Sequence, residues 1–322
     1  MRPLIPEYPL SATATRPDWS QLPTGIRQLV TDRCGAEVDT ARSVTVGFTA
    51  GFASRLRFAD ESTAFVKAAD RIGDAWHDHA VDGYLEEARK LRALPPAVPA
   101  PRLRWLYEGE VDGRDWVVLC FDDVGGRPPA RPWQPTELDE VLDSLERTAE
   151  ALTPAPTALH TSDFATEFAA EAERWATLAG YPPTAPYVAQ ARQLCDAGLA
   201  GARGDSLIHA DLRDDNVIVG ADGRVWICDW NWPMRGATWI DTLTLLLSAH
   251  GDGVDTDRLL CSRRLTAEVD RDSIDGMLAL LAGYFLTQQH EPVPASSPWV
   301  RAHQRWYGEV AWHWLSTRRG WQ

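Results

Sequence analysis

Four polar residues have the types and spacing that phosphoryl transfer requires. His209, Asp211 and Asn216 follow the pattern H-x-D-x-x-x-x-N, and Asp229 closes a hydrophobic run 18 residues after Asp211. Such a transfer needs a carboxylate that orients the attacking hydroxyl and accepts its proton, and hard oxygen ligands that hold magnesium against the phosphates. Each residue alone would favour a solvated loop before a hairpin. The ordered set instead predicts that Asp211, Asn216 and Asp229 surround one point.

The elements that must position this set are three short apolar runs at residues 207–208, 217–219 and 225–228. The last two runs are separated by Ala-Asp-Gly-Arg at 221–224, which is a strong signal for a tight turn. We therefore expect a small hairpin that carries Asn216 at its start and Asp229 at its end.

These motifs resemble the aminoglycoside phosphotransferase family, within the protein-kinase-like superfamily that also holds choline kinases. The resemblance extends from about residue 44 to the C-terminus, with its sharp motifs between 207 and 241. It implies that Asp211 is the catalytic base and that Asn216 and Asp229 are magnesium ligands. It also implies that His209 is a structural member of the loop. Asp241 matches the family's aspartate that braces the catalytic loop, and a plain helix cap is the alternative.

Two departures from protein kinases are visible near the site. Asp229 is followed by Trp230 and Asn231 rather than by Phe-Gly, which fits the antibiotic-kinase branch and argues against a protein kinase. Arg213 stands two residues after Asp211, where protein kinases have a lysine that touches the γ-phosphate. An arginine there is a candidate catalytic residue because it can stabilise transferring charge, and a surface salt bridge is the alternative.

The first third of the chain contains a candidate lysine for the nucleotide phosphates. Lys67 lies in the second strand of a predicted hairpin and resembles the strand lysine that holds the α- and β-phosphates. Glu87 follows 20 residues later on a predicted amphipathic helix and is our candidate for the ion pair that positions Lys67. The neighbouring Glu86 is the residue with which it is most easily confused.

Further candidates for nucleotide binding are less sharply defined. Gly47 and Gly51 occupy the position of a nucleotide-covering loop, where backbone amides approach phosphate oxygens only if no Cβ intervenes. Ser54, at the end of this loop, is a candidate phosphate donor. Phe121 and Asp123, at the end of a predicted strand, match the hinge that pairs its backbone with the adenine edge.

The distribution of patterns predicts an α+β protein with a protein-kinase-like bilobal fold. An N-terminal nucleotide-binding lobe covers residues 1–122, beginning with an extended lead-in at 1–20. A C-terminal catalytic and substrate-binding lobe, mainly helical, covers 123–322. Predicted strands of the first lobe lie at 55–58, 63–66, 104–108 and 116–121. Predicted helices lie at 24–34, 84–94, 136–152, 162–179 (capped by Ser162), 186–199, 240–248, 274–288 and 298–316.

Two other groups of residues have simpler structural interpretations. His77 and His79 look like a metal pair, but without a third ligand at a useful spacing we expect a solvated loop before the helix. Five tryptophans fall within the last 24 residues, and we expect them to pack a terminal helix onto the body because large aromatic side chains bury much area.

Bulk composition limits the classes of protein to consider. The chain has 322 residues, a net charge of −14, and five scattered cysteines with no Cys-x-x-Cys pair. The acidity argues against nucleic-acid binding, which needs a basic surface. We find neither an apolar run long enough for a membrane span nor a secretory signal, so we expect a cytoplasmic protein. The oligomeric state is not encoded in any motif.

The resemblance implies a kinase that uses ATP, with GTP as the alternative donor, and Mg²⁺ to phosphorylate a hydroxyl group of a small molecule. An aminoglycoside or another cationic antibiotic is the first candidate acceptor, and the implied context is antibiotic resistance. Kinases of choline, amino alcohols, homoserine or sugars are the alternative, and a catalytically inactive nucleotide-binding protein is a third possibility. Acidic residues that would bind ammonium groups are Glu167, Glu171, Asp252 and Asp255.

Overall fold

The computed structural model describes residues 3–49 and 51–321. Strands β1 to β5 cover Val38–Ser43, Phe52–Phe58, Thr63–Asp70, Leu103–Val111 and Arg114–Phe121. They form an antiparallel sheet in the order β1-β2-β3-β5-β4, in which the strands predicted at 55–58 and 63–66 form one hairpin and those predicted at 104–108 and 116–121 form another. The edge strand β1 was not predicted because four of its six residues are exposed and show no apolar alternation.

One helix packs on each face of this sheet. Helix α1 covers Thr24–Cys34, as predicted, and packs Ile26 and Val30 against alternate residues of β2 such as Phe52 and Leu56. Helix α2 covers Ala75–Leu91 and packs against β5 on the opposite face. Because successive strand side chains point to opposite faces, the parity of each position decides which helix it meets.

The start of α2 differs from the prediction by nine residues. Asp74 caps the helix by accepting a hydrogen bond from the backbone N of His77 at 2.8 Å. Both histidines therefore lie in the first turns of α2, and the expectation of a solvated loop before the helix is wrong. His79 stacks on Trp232 with ring centroids 5.0 Å apart. The missed signal was the aspartate cap, a residue type strongly preferred at that position.

The rest of the chain is mainly helical. Helices α3 to α9 cover Pro135–Ala151, Phe164–Glu167, Val188–Gly201, Trp239–Gly251, Thr256–Ser262, Arg271–Gln288 and Val300–Arg319. Two small antiparallel pairs, β6 with β9 and β7 with β8, are inserted between α5 and α6. These strands cover Ser206–Ile208, Val217–Val219, Val225–Ile227 and Met234–Gly236, in order from β6 to β9. Helix α7 and strand β9 were not predicted.

The helix expected at 162–179 is not one continuous α-helix. Its cap is Asp163 rather than Ser162, and α4 lasts only four residues before a 3₁₀ segment at Ala169–Leu178. That segment buries Ala172, Trp175 and Leu178. Their spacing of three matches the three residues per turn of a 3₁₀ helix, which places all of them on one side.

The terminal tryptophans pack α9 onto the helical body, as expected. Trp306, Trp312 and Trp314 are buried, and Trp321 stacks on Tyr187 at 4.8 Å between ring centroids. Trp299 is the exception, with 39% of its surface exposed. No helix in the described part of the chain is long and apolar enough to cross a membrane.

The N-terminal segment connects the helical part to the sheet. Residues 3–18 have no regular secondary structure and lead into a 3₁₀ turn at Trp19–Gln21. The backbone N of Leu4 donates to Gly251 at the end of α6, whereas Thr13 donates through its backbone N to Thr45 and through its hydroxyl to Gly47. This segment therefore ties the loop before β2 to the helices.

Candidate active site

The loop between β6 and β7 carries the H-x-D-x-x-x-x-N pattern and is held from behind by Asp241. The carboxylate of Asp241, in the first turn of α6, accepts from the backbone N of His209 at 2.7 Å and from that of Ala210 at 2.9 Å. Ala210 has a positive φ of 65°, a conformation that costs energy for a residue with a Cβ. Asp241 thus supports the loop instead of capping its own helix.

His209 ties the same loop to the hairpin. Its ring is buried, and Nε2 lies 2.9 Å from the carbonyl oxygen of Cys228. The ring also meets Trp230 edge to face at 4.8 Å. This side chain does not open onto either cavity described below, so its position is that of a structural member of the loop.

Asp211 and Asn216 face each other across the loop. The Asn216 amide donates from Nδ2 to the backbone oxygen of Asp211 at 2.8 Å, which leaves the Asn216 Oδ1 atom for another partner. The Asp211 side chain keeps 34% of its surface exposed. Burial of the remainder raises the pKa of its carboxyl, although the nearby Arg213 opposes this shift.

Arg213 is not part of a surface salt bridge. Only 14% of its side chain is exposed, with Nη1 against the Asp211 carboxylate and Nε 2.9 Å from Asp215. Its guanidinium therefore contacts the carboxylates of both Asp211 and Asp215. Arg213 does not line the cavity beside Lys67 that is described below as the sheet-side cavity. The predicted contact of Arg213 with a phosphate would require a position there.

Asp229 meets the lysine of the sheet. Its Oδ1 atom is 2.7 Å from Nζ of Lys67, and Lys67 in turn lies 3.0 and 2.8 Å from the two carboxylate oxygens of Glu87. Glu86 instead pairs with Arg89 on the outer side of α2. Asp229 has a φ of 65°, so its carboxylate is held in place by a backbone conformation that is unusual outside glycine.

The charges of this trio are set by burial and by one another. Burial raises the pKa of Glu87 to about 7, although Lys67 opposes the shift. Burial would also raise the pKa of Asp229, but Lys67 outweighs it and holds that pKa below its ordinary value. For Lys67 burial acts downward, and the two carboxylates raise the pKa overall. Asp229 is consequently an anion and Lys67 a cation at neutral pH.

Two cavities meet at this trio. The first, called the sheet-side cavity, has a volume of about 440 Å³ and is lined by Gly47, Lys67, Phe121, Asp123 and Asn216, among others. The second, called the aromatic cavity, has a volume of about 660 Å³ and is lined by Asp211, Arg213 and many aromatic side chains. Asp229 and Thr49 line both cavities.

The glycine loop forms one wall of the sheet-side cavity, and Ala50 within it lies outside the described residues. Gly47 and Gly51 both have positive φ, 94° and 98°. A Cβ at Gly51 would also come within 2.7 Å of the backbone oxygen of Ala68. Both positions thus favour glycine for conformational reasons, and Gly47 also lines the sheet-side cavity.

Ser54 does not lie on the cavity side of β2. It is fully buried and has the same strand parity as Phe52 and Leu56, which pack toward α1. Its hydroxyl is 3.3 Å from that of Ser43. The expectation that Ser54 donates to a phosphate is therefore wrong, because the alternation of the strand turns its side chain to the other face.

The end of β5, where a hinge was predicted, lines the sheet-side cavity. Phe121 is buried at the end of the strand and pairs across the sheet with Phe65 on one side and Leu103 on the other. The carboxylate of Asp123 accepts from the backbone N of Gly125 at 3.1 Å and lies 3.3 Å from Nε of Arg55. Asp123 shapes the turn that follows β5.

Arg16 was missed by sequence reasoning. It lines the sheet-side cavity from the N-terminal segment, with Nη1 3.3 Å from the carbonyl of Gly51 and Nη2 3.5 Å from that of Val46. The guanidinium thereby spans the two ends of the glycine loop. Its position far upstream in an unpatterned segment left no local signal.

Lys90 was missed for a similar reason. Its ammonium group is buried, donates to the backbone oxygen of Asn231 at 2.5 Å, and has a pKa lowered by burial. This contact holds the turn after Asp229. The sequence carries no signal for this role of Lys90 beyond its place in a predicted amphipathic helix, because helical periodicity does not reveal what an element packs against.

The donor set suits magnesium better than a metal that needs a protein cage. The described residues contain no group of three or more His, Cys, Asp or Glu side chains that could hold an ion. Magnesium is commonly held by one or two protein oxygens, with phosphate and water completing its shell. The free Oδ1 of Asn216 and the anionic carboxylate of Asp229, which line the same cavity, fit that requirement.

Solved structures with this architecture define the class of fold as protein-kinase-like. Aminoglycoside phosphotransferase APH(4)-Ia, in complex with ADP and hygromycin B, aligns with a TM-score of 0.60 at 14% identity over 91% of this chain and 99% of that one. Choline kinase LicA from Streptococcus pneumoniae gives 0.56 at 15% identity over 92% and 99%. Amicoumacin kinase hAmiN, in complex with AMP-PNP, Ca²⁺ and Ami, gives 0.55 at 12% over 89% and 93%. These likenesses confirm the predicted fold class.

Sequence comparison identifies the family. No curated protein matches this chain, but the model of the phosphotransferase enzyme family matches residues 47–276, which is well over half of the chain. The chain belongs to the phosphotransferase enzyme family, and the predicted resemblance is confirmed. The class of activity that this family defines is that of a phosphotransferase. Arg16 and the N-terminal segment lie outside the matched residues.

Proposed function

We propose that the protein transfers the γ-phosphoryl group of ATP to a hydroxyl group of a small molecule, with Asp211 as the base. The observation that carries this proposal is the meeting of the two cavities at Asp229. Lys67 lies on the sheet-side cavity, whereas the partly exposed Asp211 lies on the other. A nucleotide and an acceptor bound in this way would face each other across Asp229.

The reaction is an in-line displacement at phosphorus. The acceptor oxygen forms a bond to the γ-phosphorus while the bond from that phosphorus to the β,γ-bridging oxygen breaks, and ADP leaves with the electron pair. The hydroxyl proton passes to the carboxylate of Asp211, within hydrogen-bond reach of the acceptor. Arg213 holds that carboxylate in orientation, while Asn216 and Asp241 hold the loop backbone.

The proposed nucleotide site uses the side chains of the sheet. Lys67 is held between Glu87 and Asp229, so its ammonium group is already in place for the α- and β-phosphates. Gly47 and Gly51 would cover the phosphates, and the hinge at Phe121 and Asp123 would receive the base. GTP is the alternative donor, and the assay is run with both nucleotides.

Asn216 and Asp229 are the residues that would hold Mg²⁺. When bound, magnesium supplies positive charge that neutralises the phosphate oxygens. Lys67, already 2.7 Å from Asp229, contributes a second positive charge on the same side of the cavity. In this proposal residues 1–122 form the nucleotide-binding lobe and 123–322 the catalytic and substrate-binding lobe.

An aminoglycoside or other cationic antibiotic is supported as acceptor by the hygromycin B complex of one structural neighbour, and a choline-like amino alcohol by the choline kinase neighbour. A catalytically inactive protein is disfavoured because Lys67, Asp211, Asn216 and Asp229 are brought together around the two cavities.

The test is Mg²⁺-dependent ATP consumption over a panel of aminoglycosides, other antibiotics, amino alcohols and sugars, with Asp211→Asn protein as the blank. Turnover that disappears in the blank supports the proposal. ATP binding without turnover for any acceptor, including the aromatic alcohols considered below, would favour the inactive nucleotide-binding alternative.

A further inference from the structure

The wall of the aromatic cavity has a chemistry that phosphoryl transfer by itself does not require. Six large aromatic side chains line it while keeping part of their surface exposed: Phe48, Trp76, Phe168, Trp232, Tyr284 and Phe285. Trp232 is 41% exposed. Apolar surface that is exposed to water in the free protein contributes favourable binding free energy when an apolar ligand covers it.

These rings come from two sides of the cavity. On one side, α2 contributes Trp76 together with His79, on which Trp232 stacks. On the other, α8 contributes Tyr284, which meets Phe168 at 6.0 Å between centroids. Asp211 lines the same cavity, so a molecule between the two sides would have its reactive group near the carboxylate.

Two of the three acidic groups that line the cavity are already engaged. Among its described lining residues, Asp211 contacts Arg213 and Asp229 is 2.7 Å from Lys67. The third, Glu291, is exposed and lines the cavity together with Arg301, whose charge it offsets in part. A polycation would need several free carboxylates converging on it.

The acidic residues suggested by the sequence do not supply them. None of the four lines the cavity. Asp252 forms a buried ion pair with Arg131 at 2.7 Å, Glu171 pairs with Arg174, and Asp255 caps α7 by accepting from the backbone of Arg258.

A single cation held over the rings is also disfavoured. The guanidinium of Arg301 lies 5.5 Å from the ring centroid of Trp76, and the ammonium of Lys90 lies 5.9 Å from that of Trp232. Each of these rings therefore already has a protein cation as partner. A cationic ligand would be repelled by those charges, whereas a neutral ring would stack without that penalty.

We propose that the acceptor is a neutral, hydroxyl-bearing molecule with a flat aromatic or fused-ring body, bound between α2 and α8 with its hydroxyl toward Asp211. The proposal rests on the phosphotransferase function argued above. A volume of about 660 Å³ is within the range of cavities that hold drug-sized ligands.

Binding is measured first, by calorimetric titration of the full chain with 2-naphthaleneethanol, choline and kanamycin. We expect the naphthyl alcohol to bind at least tenfold more tightly than the other two. Trp232→Ala should weaken it at least tenfold. Trp226→Ala is the matched control, because Trp226 lies on β8 under Arg224 and lines neither cavity.

Loss of the fold is separated from loss of the ring by a second variant. Trp232→Leu keeps apolar volume but removes the aromatic face, and circular dichroism and melting temperature are recorded for each variant. The proposed acceptor class is overturned if kanamycin or choline binds more tightly than the naphthyl alcohol. It is also overturned if the naphthyl alcohol does not bind, or if it binds wild type and both Trp232 variants with equal affinity.

Measurements of turnover test the proposed acceptor class separately from the proposed phosphotransferase activity. Phosphorylation of the naphthyl alcohol that is lost in Asp211→Asn supports both. Trp232-dependent binding of that alcohol with no turnover of any compound supports the acceptor class and counts against the phosphotransferase. Asp211-dependent phosphorylation of kanamycin, with no binding of the naphthyl alcohol, supports the phosphotransferase and overturns the acceptor class.

Discussion

Replacing Asp211 with asparagine tests the assignment of the base with little change of shape. The Asp211 side chain is 34% exposed. Its loop is held by hydrogen bonds that the substitution leaves intact, from Asn216 to the backbone oxygen of Asp211 and from the backbone of residues 209 and 210 to Asp241. An asparagine can still accept a hydrogen bond from Arg213 through its amide oxygen. We therefore expect the free energy of unfolding to change by less than about 1 kcal/mol.

The loss of turnover should be much larger. An amide cannot accept the hydroxyl proton, and a positioned general base contributes about 10²- to 10⁴-fold to the rate. This corresponds to about 3–5 kcal/mol of transition-state stabilisation at 1.36 kcal/mol per tenfold. The Michaelis constant for ATP should change little, because Asp211 does not line the sheet-side cavity.

The assay is steady-state ATP consumption with Mg²⁺ and the best acceptor, alongside urea unfolding of the same preparations. Asp222→Asn is the control, because Asp222 is exposed at the turn between β7 and β8 and lines neither cavity. A kcat within threefold of wild type for Asp211→Asn would refute the base assignment. A large drop in unfolding free energy would instead show that Asp211 supports the fold.

Three further perturbations follow from the site. Asp241→Asn should lower the free energy of unfolding in urea by about 2–3 kcal/mol, since an amide oxygen can accept only one of the two backbone hydrogen bonds. A loss below about 0.5 kcal/mol would contradict the role of Asp241 in supporting the loop. Glu87→Gln should flatten the pH dependence of stability. The raised pKa of about 7 means that the wild type loses stability as pH rises from about 4.5 to 7, by up to about 3 kcal/mol, and glutamine does not titrate; parallel curves would exclude this. Arg16→Gln should raise the KM for ATP about tenfold with kcat nearly unchanged, because the hydrogen bonds from Arg16 to the two ends of the glycine loop are lost. An unchanged KM would show that Arg16 does not contribute to nucleotide binding.

Regular elements were predictable where an apolar or alternating run is bounded by turn residues. Helix α1 has the predicted bounds, and the four strands β2 to β5 were all located, although β2, β3 and β5 are buried on both faces. Strand β1 and helix α7 are short, and only the ends of β1 are partly buried. Because β1 is mostly exposed and α7 buries only Thr256 and Leu260, neither has a long periodic signal.

The spacing of the candidate site residues was visible in the sequence, but the directions in which side chains point were not. Asp211, Asn216 and Asp229 were recognised by order and distance along the chain. Ser54 was assigned to the wrong face, since the parity of a strand position depends on where pairing begins. The start of α2 was placed nine residues late, which moved two histidines from a helix to a loop.

By itself the sequence determined the family, the fold class and the three polar residues of the loop and hairpin, because these are encoded in local pattern and short spacing. Only the tertiary structure decided that Arg16 clasps the glycine loop, that Lys90 holds the turn after Asp229, and that aromatic rings from distant segments form one cavity. Such contacts join residues tens to hundreds of positions apart. They depend on how whole elements pack, which no local pattern records.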